Sequence, residues 1–246
     1  MDLSGAAALI TGGRRIGSVV ATELARAGAD VSLVYHRGRE QADRTASDVT
    51  ASGRRALVLQ ADLRDPAACA RVVDETASAF GRLDVVVNMA SVYKRTPAEE
   101  LSVADWDEQF NVDVRSAWLC AKAAVPWMIR GGRGRIINFS DWAARSGRPK
   151  SEGYLAYHAA KSAVIGLTEA LALELAPHQI LVNAIAPGPI LPPEDLSAAD
   201  TASDAQAAAV GHWGGSMEIA KLVLALIESD FITGETIRVD GGRHIK

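Results

Sequence analysis

Short apolar runs alternate with amphipathic segments along almost the whole chain, and this alternation limits the fold more than any other feature. Continuous apolar strands separated by helices of several turns indicate a parallel sheet covered on both faces. The predicted strands are Ala6–Ile10, Asp30–Tyr35, Ala56–Gln60, Val85–Asn88, Arg135–Phe139, Ile180–Ala184 and Thr236–Val239. The predicted helices are Ile16–Ala27, Arg39–Ser52, Ala67–Phe80, Val103–Met128, Tyr157–Leu175 and Met217–Ile227. We therefore expect an α/β fold with a doubly wound parallel sheet, in one domain spanning residues 1–246.

The composition argues against several classes of partner. Of the 246 residues 48% are hydrophobic, and the net charge of −4 argues against general binding to nucleic acid or an anionic membrane. Cys69 and Cys120 form no CxxC pattern and the five histidines show no ligand spacing, so we expect a reducing compartment and no metal site. The chain starts without a signal-peptide pattern, and no apolar run reaches the ~20 residues that span a bilayer. We expect a soluble, cytoplasmic protein.

The segment from Pro187 to Gly215 differs in composition from the rest of the chain, since Pro, Ala, Ser and Asp dominate it. A disordered insert is one interpretation. A long segment that follows a strand of an α/β fold more often lines or covers the site. We therefore expect residues 187–215 to form a partly helical substrate lid.

The junction between the first strand and the first helix is rich in glycine. It reads Thr11-Gly12-Gly13-Arg14-Arg15-Ile16-Gly17. Glycines at this junction allow a tight turn and let backbone N–H groups approach a diphosphate at the helix N-terminus. The alternative is a purely structural left-handed turn. At the first strand–helix junction of an alternating chain, the pattern favours dinucleotide binding.

The end of the second strand indicates which dinucleotide binds. Folds that select NAD place an acid near this point, whereas here His36-Arg37-Gly38-Arg39 precedes Glu40. Arg37, together with Arg14, His36 and Arg39, can bind a 2′-phosphate, because guanidinium groups match phosphate geometry. The alternative is that these are solvated surface residues, in particular Arg39. We expect NADPH to be the cofactor.

Polar residues also follow the third and fourth strands. Asp62-Leu63 and Asn88-Met89-Ala90-Ser91 stand at the carboxyl ends of strands, where open parallel sheets bind ligands. Taken singly, such residues are usually turn formers. Their placement makes them candidate cofactor contacts.

Tyr157 and Lys161 form the candidate proton-transfer pair. They are four residues apart and share a helix face, although YxxxK alone is equally typical of an ordinary exposed pair. A free tyrosine has a pKa of ~10, and a nearby ammonium favours the phenolate and lowers that pKa. Ser140 and Asp141 end the preceding strand, and only one of these neighbours can face the same side as the phenol. We expect it to be Asp141.

With TGGRRIG, NMAS, YHAAK, NAIAPG and VDGG in this order, the chain resembles the short-chain dehydrogenase/reductase family from Leu3 to Arg243. Membership implies a Rossmann fold with a seven-stranded sheet, hydride transfer from a nicotinamide, Tyr157 as proton donor and Lys161 as ribose ligand. It also implies a homotetramer or homodimer built partly on the two long helices. The expected cofactor contacts are Gly12, Arg14, Arg15, Ile16, Gly17, His36, Arg37, Asp62, Leu63, Asn88, Ala90, Ser91, Tyr157, Lys161, Pro187, Gly188 and Ile190.

The chain also departs from the family pattern. Asp141 stands where the family has its catalytic serine, Met89 replaces a second asparagine, and Asp113 stands at the asparagine that supports a water relay. The chain shares several features with pteridine reductases and dihydropterin reductases. These are the aspartate at the position of the catalytic serine, Arg15 before the last glycine of the loop, and the pair His36-Arg37. The two tyrosines of the pattern GYxxYxxxK, here Tyr154 and Tyr157, are shared as well. This resemblance implies a substrate site formed by Arg15, Ser91, Tyr93, Asp141, Tyr154 and Tyr157, with Tyr93 stacking on the ring.

The chemistry of Asp141 also indicates which class of substrate the site suits. An ionised carboxylate only accepts hydrogen bonds, so Asp141 suits a ring that carries N–H or amino donors better than a ketone. We expect reduction of a pteridine-like C=N bond, with Asp141, Tyr157 and Lys161 as catalytic residues and Asp141 and Tyr157 coupled in proton delivery. Alternatively, Asp141 only caps the following turn and Ser140 replaces it. Two other functions stay open: a carbonyl reductase of the 3-oxoacyl type, and a catalytically weak NADP-binding regulator.

Overall fold

Seven parallel strands form one sheet in the computed structural model of the chain, which describes residues 1–12, 14–147, 149, 152–192 and 206–246. The strands are β1 Ala7–Gly12, β2 Asp30–Tyr35, β3 Ala56–Gln60, β4 Val85–Met89, β5 Gly134–Phe139, β6 Ile180–Pro187 and β7 Thr236–Val239. Their order is β3-β2-β1-β4-β5-β6-β7. The predicted single-domain Rossmann fold with a seven-stranded parallel sheet is confirmed.

Helices connect the strands and cover both faces of the sheet. They are α1 Arg14–Arg26, α2 Arg39–Ala51, α3 Pro66–Phe80, α4 Val103–Phe110, α5 Ser116–Gly131, α6 Trp142–Arg145, α7 Leu155–Leu175 and α8 Ser216–Glu228. The predicted helix Val103–Met128 is α4 and α5 joined by a π-helical turn, Asn111–Arg115. Its apolar periodicity gave no sign of this wider turn. The short helix α6 was not predicted either.

Two hydrophobic layers enclose the sheet because neighbouring strand residues point to opposite faces. Ile10 of β1 packs with Val20 of α1 and Val223 of α8 on one face. Leu9, its neighbour, packs with Val72 of α3 on the other face. All five side chains are fully buried, and burial of each stabilises the fold by about 1.5–3 kcal/mol. The core therefore holds β1 rigidly in the middle of the molecule.

The strand order reverses at β1, since β2 and β3 lie on one side of it and β4 to β7 on the other. A crevice opens at such a switch point, outside the carboxyl ends of the strands. Gly12 at the end of β1 pairs with Met89 at the end of β4, and Asn88 of β4 pairs with Asn138 of β5. The sheet therefore brings three strand ends to one crevice.

The expected lid, residues 187–215, is described only at its two ends, because residues 193–205 lie outside the described part of the chain. The two ends lie together: the N–H of Gly214 donates to the carbonyl of Pro189 at 3.0 Å, and that of Gly215 to the carbonyl of Ile190 at 2.8 Å. Both described ends of the segment therefore lie together beside the crevice. No helix in the described ranges is long and apolar enough to cross a membrane.

Candidate active site

A cavity of about 760 Å³ occupies the crevice at the carboxyl ends of β1, β2, β4 and β5. Its walls come from the glycine turn, the ends of these strands and the start of the segment after β6. Sixteen of the seventeen expected cofactor residues line it, namely Gly12, Arg14, Arg15, Ile16, Gly17, His36, Arg37, Asp62, Leu63, Ala90, Ser91, Tyr157, Lys161, Pro187, Gly188 and Ile190. Residues far apart in sequence thus meet in one place.

Asn88 is the expected cofactor residue that the structure does not bring to the cavity wall. Its side-chain nitrogen donates to Asn138 Oδ1 at 2.9 Å and to the Ala117 carbonyl at 3.4 Å. Asn138 in turn donates to the hydroxyl of Thr168 at 3.0 Å. The side chain of Asn88 therefore links β4 to β5 and α5 inside the core, and the polar chain through Asn138 and Thr168 is a feature that sequence reasoning missed.

Close packing explains the glycines of the turn. Gly12 has φ +68, and a Cβ there would lie 2.7 Å from the Ala90 Cα. A Cβ on Gly17, in the first turns of α1, would lie 3.1 Å from the Gly12 carbonyl oxygen. The end of β1 can therefore approach β4 and α1 this closely only without side chains, which leaves the N-terminus of α1 open to the cavity. Such a helix terminus suits a diphosphate. Gly13 lies outside the described residues.

Basic side chains stand at the end of the cavity beside β2. Arg14 and Arg37 are exposed at its wall, and a Cβ on Gly38 would lie 3.5 Å from Arg14 Cδ. His36 Nε2 lies 4.0 Å from Asp62 Oδ2. Arg39 is different: it is absent from the wall and pairs with Asp43 of the same helix at 3.2 Å. Arg39 therefore belongs to the surface, whereas Arg14 and Arg37 are placed to meet an anion.

Asp62 keeps its negative charge at the adjoining part of the wall. Arg64 Nε lies 3.0 Å from both of its oxygens, and Arg64 Nη2 lies 2.6 Å from Oδ2. These hydrogen bonds from Arg64 lower the pKa of Asp62 to about 2. The carboxylate is therefore ionised at any pH at which the protein would be assayed.

Asp141 lies beside the phenol of Tyr157. The Tyr157 hydroxyl donates to Asp141 Oδ2 at 2.9 Å, while Asp141 Oδ1 accepts from the N–H of Ala143 at 2.8 Å and caps α6. The Ser140 hydroxyl borders the cavity but donates to the carbonyl of Lys161 at 2.8 Å. The carboxylate thus serves both as a helix cap and as the partner of the phenol, two roles that the sequence left as alternatives.

The expected direction of the Tyr157 pKa was wrong. Burial raises the pKa of the phenol well above its ordinary value, and the negative charge of Asp141 raises it further. Lys161 does not offset this, because its Nζ is 5.7 Å from the centre of the Tyr157 ring and only 2.9 Å from Asp113 Oδ2. In the protein alone Tyr157 is therefore a protonated phenol, in keeping with a proton donor.

Asp113 is the contact of Lys161 that sequence reasoning missed. Asp113 was recognised as a departure from the family's asparagine, but not as an ion-pair partner of the lysine. Lys161 Nζ also donates to the carbonyl of Phe139 at 2.9 Å. The lysine is thereby held between the end of β5 and the π-helical turn.

Two further tyrosines, Tyr93 and Tyr154, lie on the outer side of the Tyr157 phenol. Tyr93 stacks on Tyr154 with ring centres 4.9 Å apart and meets Tyr157 edge-on, also at 4.9 Å. The backbone fixes this arrangement, since the N–H of Thr96 donates to the carbonyl of Gly153 at 2.8 Å. Tyr93 is 52% exposed. Together with Asp141, these rings form an aromatic, acidic margin beyond the wall of the main cavity.

Arg15 stands between the glycine turn and the segment after β6. One of its terminal nitrogens donates to the carbonyl of Pro192 at 2.8 Å, in the first part of the expected lid. Arg15 also lines the cavity. In the described ranges there is no group of three or more His, Cys, Asp or Glu side chains that could hold a metal ion.

Comparisons with known proteins agree over the length of the chain. The family model described as Enoyl-(Acyl carrier protein) reductase matches residues 11–244. The Escherichia coli K12 protein described as uncharacterized oxidoreductase YohF is 37% identical over 232 residues, which cover 92% of this chain and 90% of that protein. The 3-oxoacyl-(acyl-carrier-protein) reductase FabG of Staphylococcus aureus is 33% identical over 243 residues, with 97% and 98% covered. The crystal structure of a short chain dehydrogenase from Burkholderia cenocepacia in complex with NADP has a TM-score of 0.91 and 36% identity, and 99% of each chain is covered.

Proposed function

The chain belongs to the short-chain dehydrogenase/reductase family of oxidoreductases, and from this premise we propose that it is an NADPH-dependent reductase of a pteridine-like ring with a C=N bond. The observation that carries the substrate proposal is the hydrogen bond of 2.9 Å from the Tyr157 hydroxyl to the Asp141 carboxylate.

The cavity fits NADPH by its shape and its charges. The open N-terminus of α1 suits the diphosphate, and Arg14 and Arg37 at the end of β2 suit a 2′-phosphate. No acidic residue stands between Tyr35 and Glu40 to select the free ribose hydroxyls of NAD. When bound, NADPH would supply the hydride. The related Burkholderia cenocepacia structure contains NADP, which agrees with this assignment.

The preference for NADPH is tested by a matched pair of arginine variants. Arg37→Ala removes a guanidinium at the cavity wall, whereas Arg39→Ala removes one whose partner is Asp43 on the surface. Loss of a charge-assisted contact worth about 1.5–3 kcal/mol predicts NADPH binding weaker by roughly 10- to 100-fold in Arg37→Ala, with no change for NADH. Arg39→Ala should bind like the wild type in a fluorescence titration. Equal or tighter binding of NADH by the wild type would reject the cofactor proposal.

Asp141 and Tyr157 suit the reduction of a C=N bond. A carboxylate accepts hydrogen bonds from ring N–H or amino groups but donates none, so it orients a pteridine-like ring and not a ketone oxygen. As the ring carbon receives hydride, the O–H bond of Tyr157 breaks and its proton passes to the ring nitrogen. The raised pKa of Tyr157 keeps that proton in place until a basic nitrogen arrives. Solvent then returns a proton to the phenolate.

The aromatic margin suits a flat heterocycle. Tyr93 presents a partly exposed ring next to Tyr157, and stacking on such a ring favours planar substrates by about 0.5–1.5 kcal/mol beyond the area buried. Because Tyr93 stacks on Tyr154 in the absence of substrate, a substrate ring takes the other face of Tyr93 or displaces Tyr154. Ser91 and Arg15, on the cavity side, complete the proposed substrate contacts.

A 3-oxoacyl reductase is the second candidate, and the Staphylococcus aureus relative favours it. The carboxylate of Asp141 argues against it, because a ketone oxygen needs a hydrogen-bond donor at that place. The third candidate is an NADP-binding regulator with little catalysis, and the Asp113–Lys161 ion pair keeps it open.

NADPH oxidation, measured in parallel with dihydrobiopterin, dihydrofolate, a quinone and an acetoacetyl thioester, separates these candidates. We expect turnover with a dihydropterin and its loss in Tyr157→Phe, which removes only the hydroxyl that carries the proton. Activity restricted to the thioester would reject the pteridine substrate and favour the 3-oxoacyl candidate. NADPH binding without oxidation of any of the four would favour the regulator.

We also propose an oligomeric state and a cellular location for the protein, on the basis of its family. The long helices α4–α5 and α7 are the faces on which we expect a homotetramer or homodimer to form. Trp118 of α5 and Leu173 of α7 are exposed apolar residues there, at 41% and 80%. We also expect the protein to act in the cytoplasm.

A further inference from the structure

Asp113 is a second carboxylate of the active site, and its side chain is completely buried. Its Oδ2 lies 2.9 Å from Lys161 Nζ and accepts from the Ser91 hydroxyl at 2.6 Å. Its Oδ1 accepts from the N–H of Val92 at 3.0 Å. Both oxygens therefore have partners, and these come from α7 and from the segment after β4. A single carboxylate thus joins the lysine to the segment that leads to Tyr93.

The π-helical turn brings Asp113 into this position. Residues Asn111–Arg115 form a wider turn between α4 and α5, and such turns in otherwise regular helices are frequent at functional sites. The widening lets Asp113 project towards Lys161 while α5 keeps its buried face, which includes Cys120 and Ala124, against the sheet.

We propose that Asp113 is a positioning residue that holds Lys161 and the Ser91–Val92 segment in one arrangement and compensates the lysine's charge, so that Tyr157 keeps its proton until substrate is bound. This proposal deepens the proposed function and rests on Tyr157 being the proton donor. An aspartate at position 113 differs in this respect from an asparagine. The amide oxygen of an asparagine can accept the same N–H, but its neutral side chain cannot neutralise an ammonium.

The charges around Tyr157 support the proposal. Among the described residues, five groups face the phenol: Asp141 after β5, Lys161 on α7, Asp113 in the π-helical turn, Tyr93 after β4 and Tyr154 before α7. Two carboxylates and one ammonium leave this group with a net negative charge, whereas asparagine at 113 would leave it neutral. Burial is the main cause of the raised pKa of Tyr157, and Asp113 adds to it after Asp141.

Asp113→Asn tests the proposal with almost no change in side-chain size. The substitution removes a negative charge and leaves the ammonium of Lys161 uncompensated, so the pKa of Tyr157 should fall. Reduction requires the protonated phenol, and kcat is therefore lost as the pH rises through that pKa. The alkaline limb of the kcat profile should move to lower pH by about one unit or more, since an uncompensated opposite charge within ~4–6 Å has effects of this size. Asp113→Ser, which leaves room for water between Lys161 and Ser91, is the second variant and should move the limb the same way.

The matched control is Asp30→Asn. Asp30 is also a buried carboxylate held by a basic side chain, with Arg55 Nε at 2.7 Å. It lies at the amino end of β2, whereas the cavity lies at the carboxyl ends of the strands. This variant should lose stability without moving the pH profile. An unmoved profile in both Asp113 variants, accompanied only by lower stability, would reduce Asp113 to a structural residue and overturn the proposal.

A second readout does not depend on turnover. The chain has four tyrosines, so the Cζ carbon of each can be followed by ¹³C NMR in the complex with NADP⁺, and Tyr157→Phe assigns the signal of interest. We expect the Tyr157 signal to titrate at lower pH in Asp113→Asn than in the wild type. An identical titration would overturn the proposal. If the wild type reduced none of the four test substrates, the proposed function would fail while this titration still decided the role of Asp113.

Discussion

Two neighbouring side chains at the end of β5 have different partners, although either could have taken the place of the family's serine. Asp141 accepts the Tyr157 hydroxyl, and Ser140 donates to the backbone of α7. We expect Asp141→Ala to lower kcat by about 100-fold or more, the range typical of a lost proton-transfer partner. Ser140→Ala should keep turnover and lower the free energy of unfolding by about 1 kcal/mol, the worth of one hydrogen bond. Steady-state kinetics and urea unfolding of both variants measure these effects.

The converse result would show that the assignment is wrong: Ser140→Ala without turnover and Asp141→Ala with it. Asp141→Asn is the control for shape, because it keeps the size of the side chain but carries no charge. Its single amide oxygen replaces two carboxylate oxygens, so it can accept from Tyr157 only if the amide nitrogen faces the N–H of Ala143. A fall in kcat in Asp141→Ala that Asp141→Asn does not share would assign the effect to the hydrogen bond and not to the charge.

At the scale of residues, the sequence predicts which groups meet but not how their charges balance. The spacing of Tyr157 and Lys161 was enough to place them on one helix face. The pKa of Tyr157 was expected to fall, yet it rises, because the lysine's nearest charged partner is Asp113, 48 positions earlier in the chain. No local pattern encodes that contact. It depends on how α7 and the π-helical turn pack together.

At the scale of elements, periodicity predicted all seven strands, because parallel strands buried on both faces are continuously apolar. Periodicity did not predict elements that are too short or too irregular to show a repeating apolar pattern. The π-helical turn Asn111–Arg115 is a single turn inside a longer helical pattern, and α6 is only four residues long. The end of β1 was also missed, since Thr11 and Gly12 are not apolar but pair with Asn88 and Met89. These missed elements carry Asp113, the cap at Asp141 and the glycine turn.

The junction of β1 and α1 permits a test in which one glycine controls for another. Gly12 and Gly53 have φ values of +68 and +75, so an alanine at either position should cost about 1–2 kcal/mol of backbone strain. Around Gly53 there is no atom within 4 Å of the added Cβ, whereas at Gly12 it would lie 2.7 Å from the Ala90 Cα. Gly12→Ala should therefore destabilise the fold more than Gly53→Ala. It should also weaken NADPH binding about tenfold or more, equivalent to about 1.4 kcal/mol.

Thermal unfolding and NADPH titration of the two variants measure these effects separately. Gly53→Ala should bind NADPH like the wild type. If Gly12→Ala also bound it normally, close packing of β1 against β4 would not be needed for the cofactor turn.

At the scale of the whole molecule, buried charged groups have different roles at the two ends of the strands. At the carboxyl ends, Asp141 follows β5 and accepts from Tyr157, and Asp113 reaches the same site from the π-helical turn. At the amino ends, Asp84 accepts from the N–H of Ala7 at 2.9 Å and from Arg82 Nε at 2.6 Å, and Asp30 pairs with Arg55. The buried acids at the amino ends hold loops to strands and do not line the cavity. The sequence alone did not distinguish Asp141 from Asp30 and Asp84, because each is a single acid at a strand end and only the direction of the strand separates them.

This division predicts how stability depends on pH through Asp30. Burial alone would raise the pKa of Asp30, but hydrogen bonds from the backbone and side chain of Arg55, with the charges of Arg54 and Arg55, lower it below the ordinary value of 3.8. A carboxyl group whose pKa is lower in the folded state adds stability above the unfolded-state pKa, and that stability is lost as the pH falls through the folded-state pKa. The free energy of unfolding of the wild type should therefore fall as the pH is lowered below about 4.

In Asp30→Asn this fall should be shallower, and stability at neutral pH should be lower by about 1–3 kcal/mol. Asp43→Asn, which removes an exposed carboxylate paired with Arg39, should leave both the slope and the stability within about 1 kcal/mol of the wild type. Denaturant unfolding at a series of pH values measures all three proteins, and equal slopes for wild type and Asp30→Asn would show that acid instability arises elsewhere in the fold.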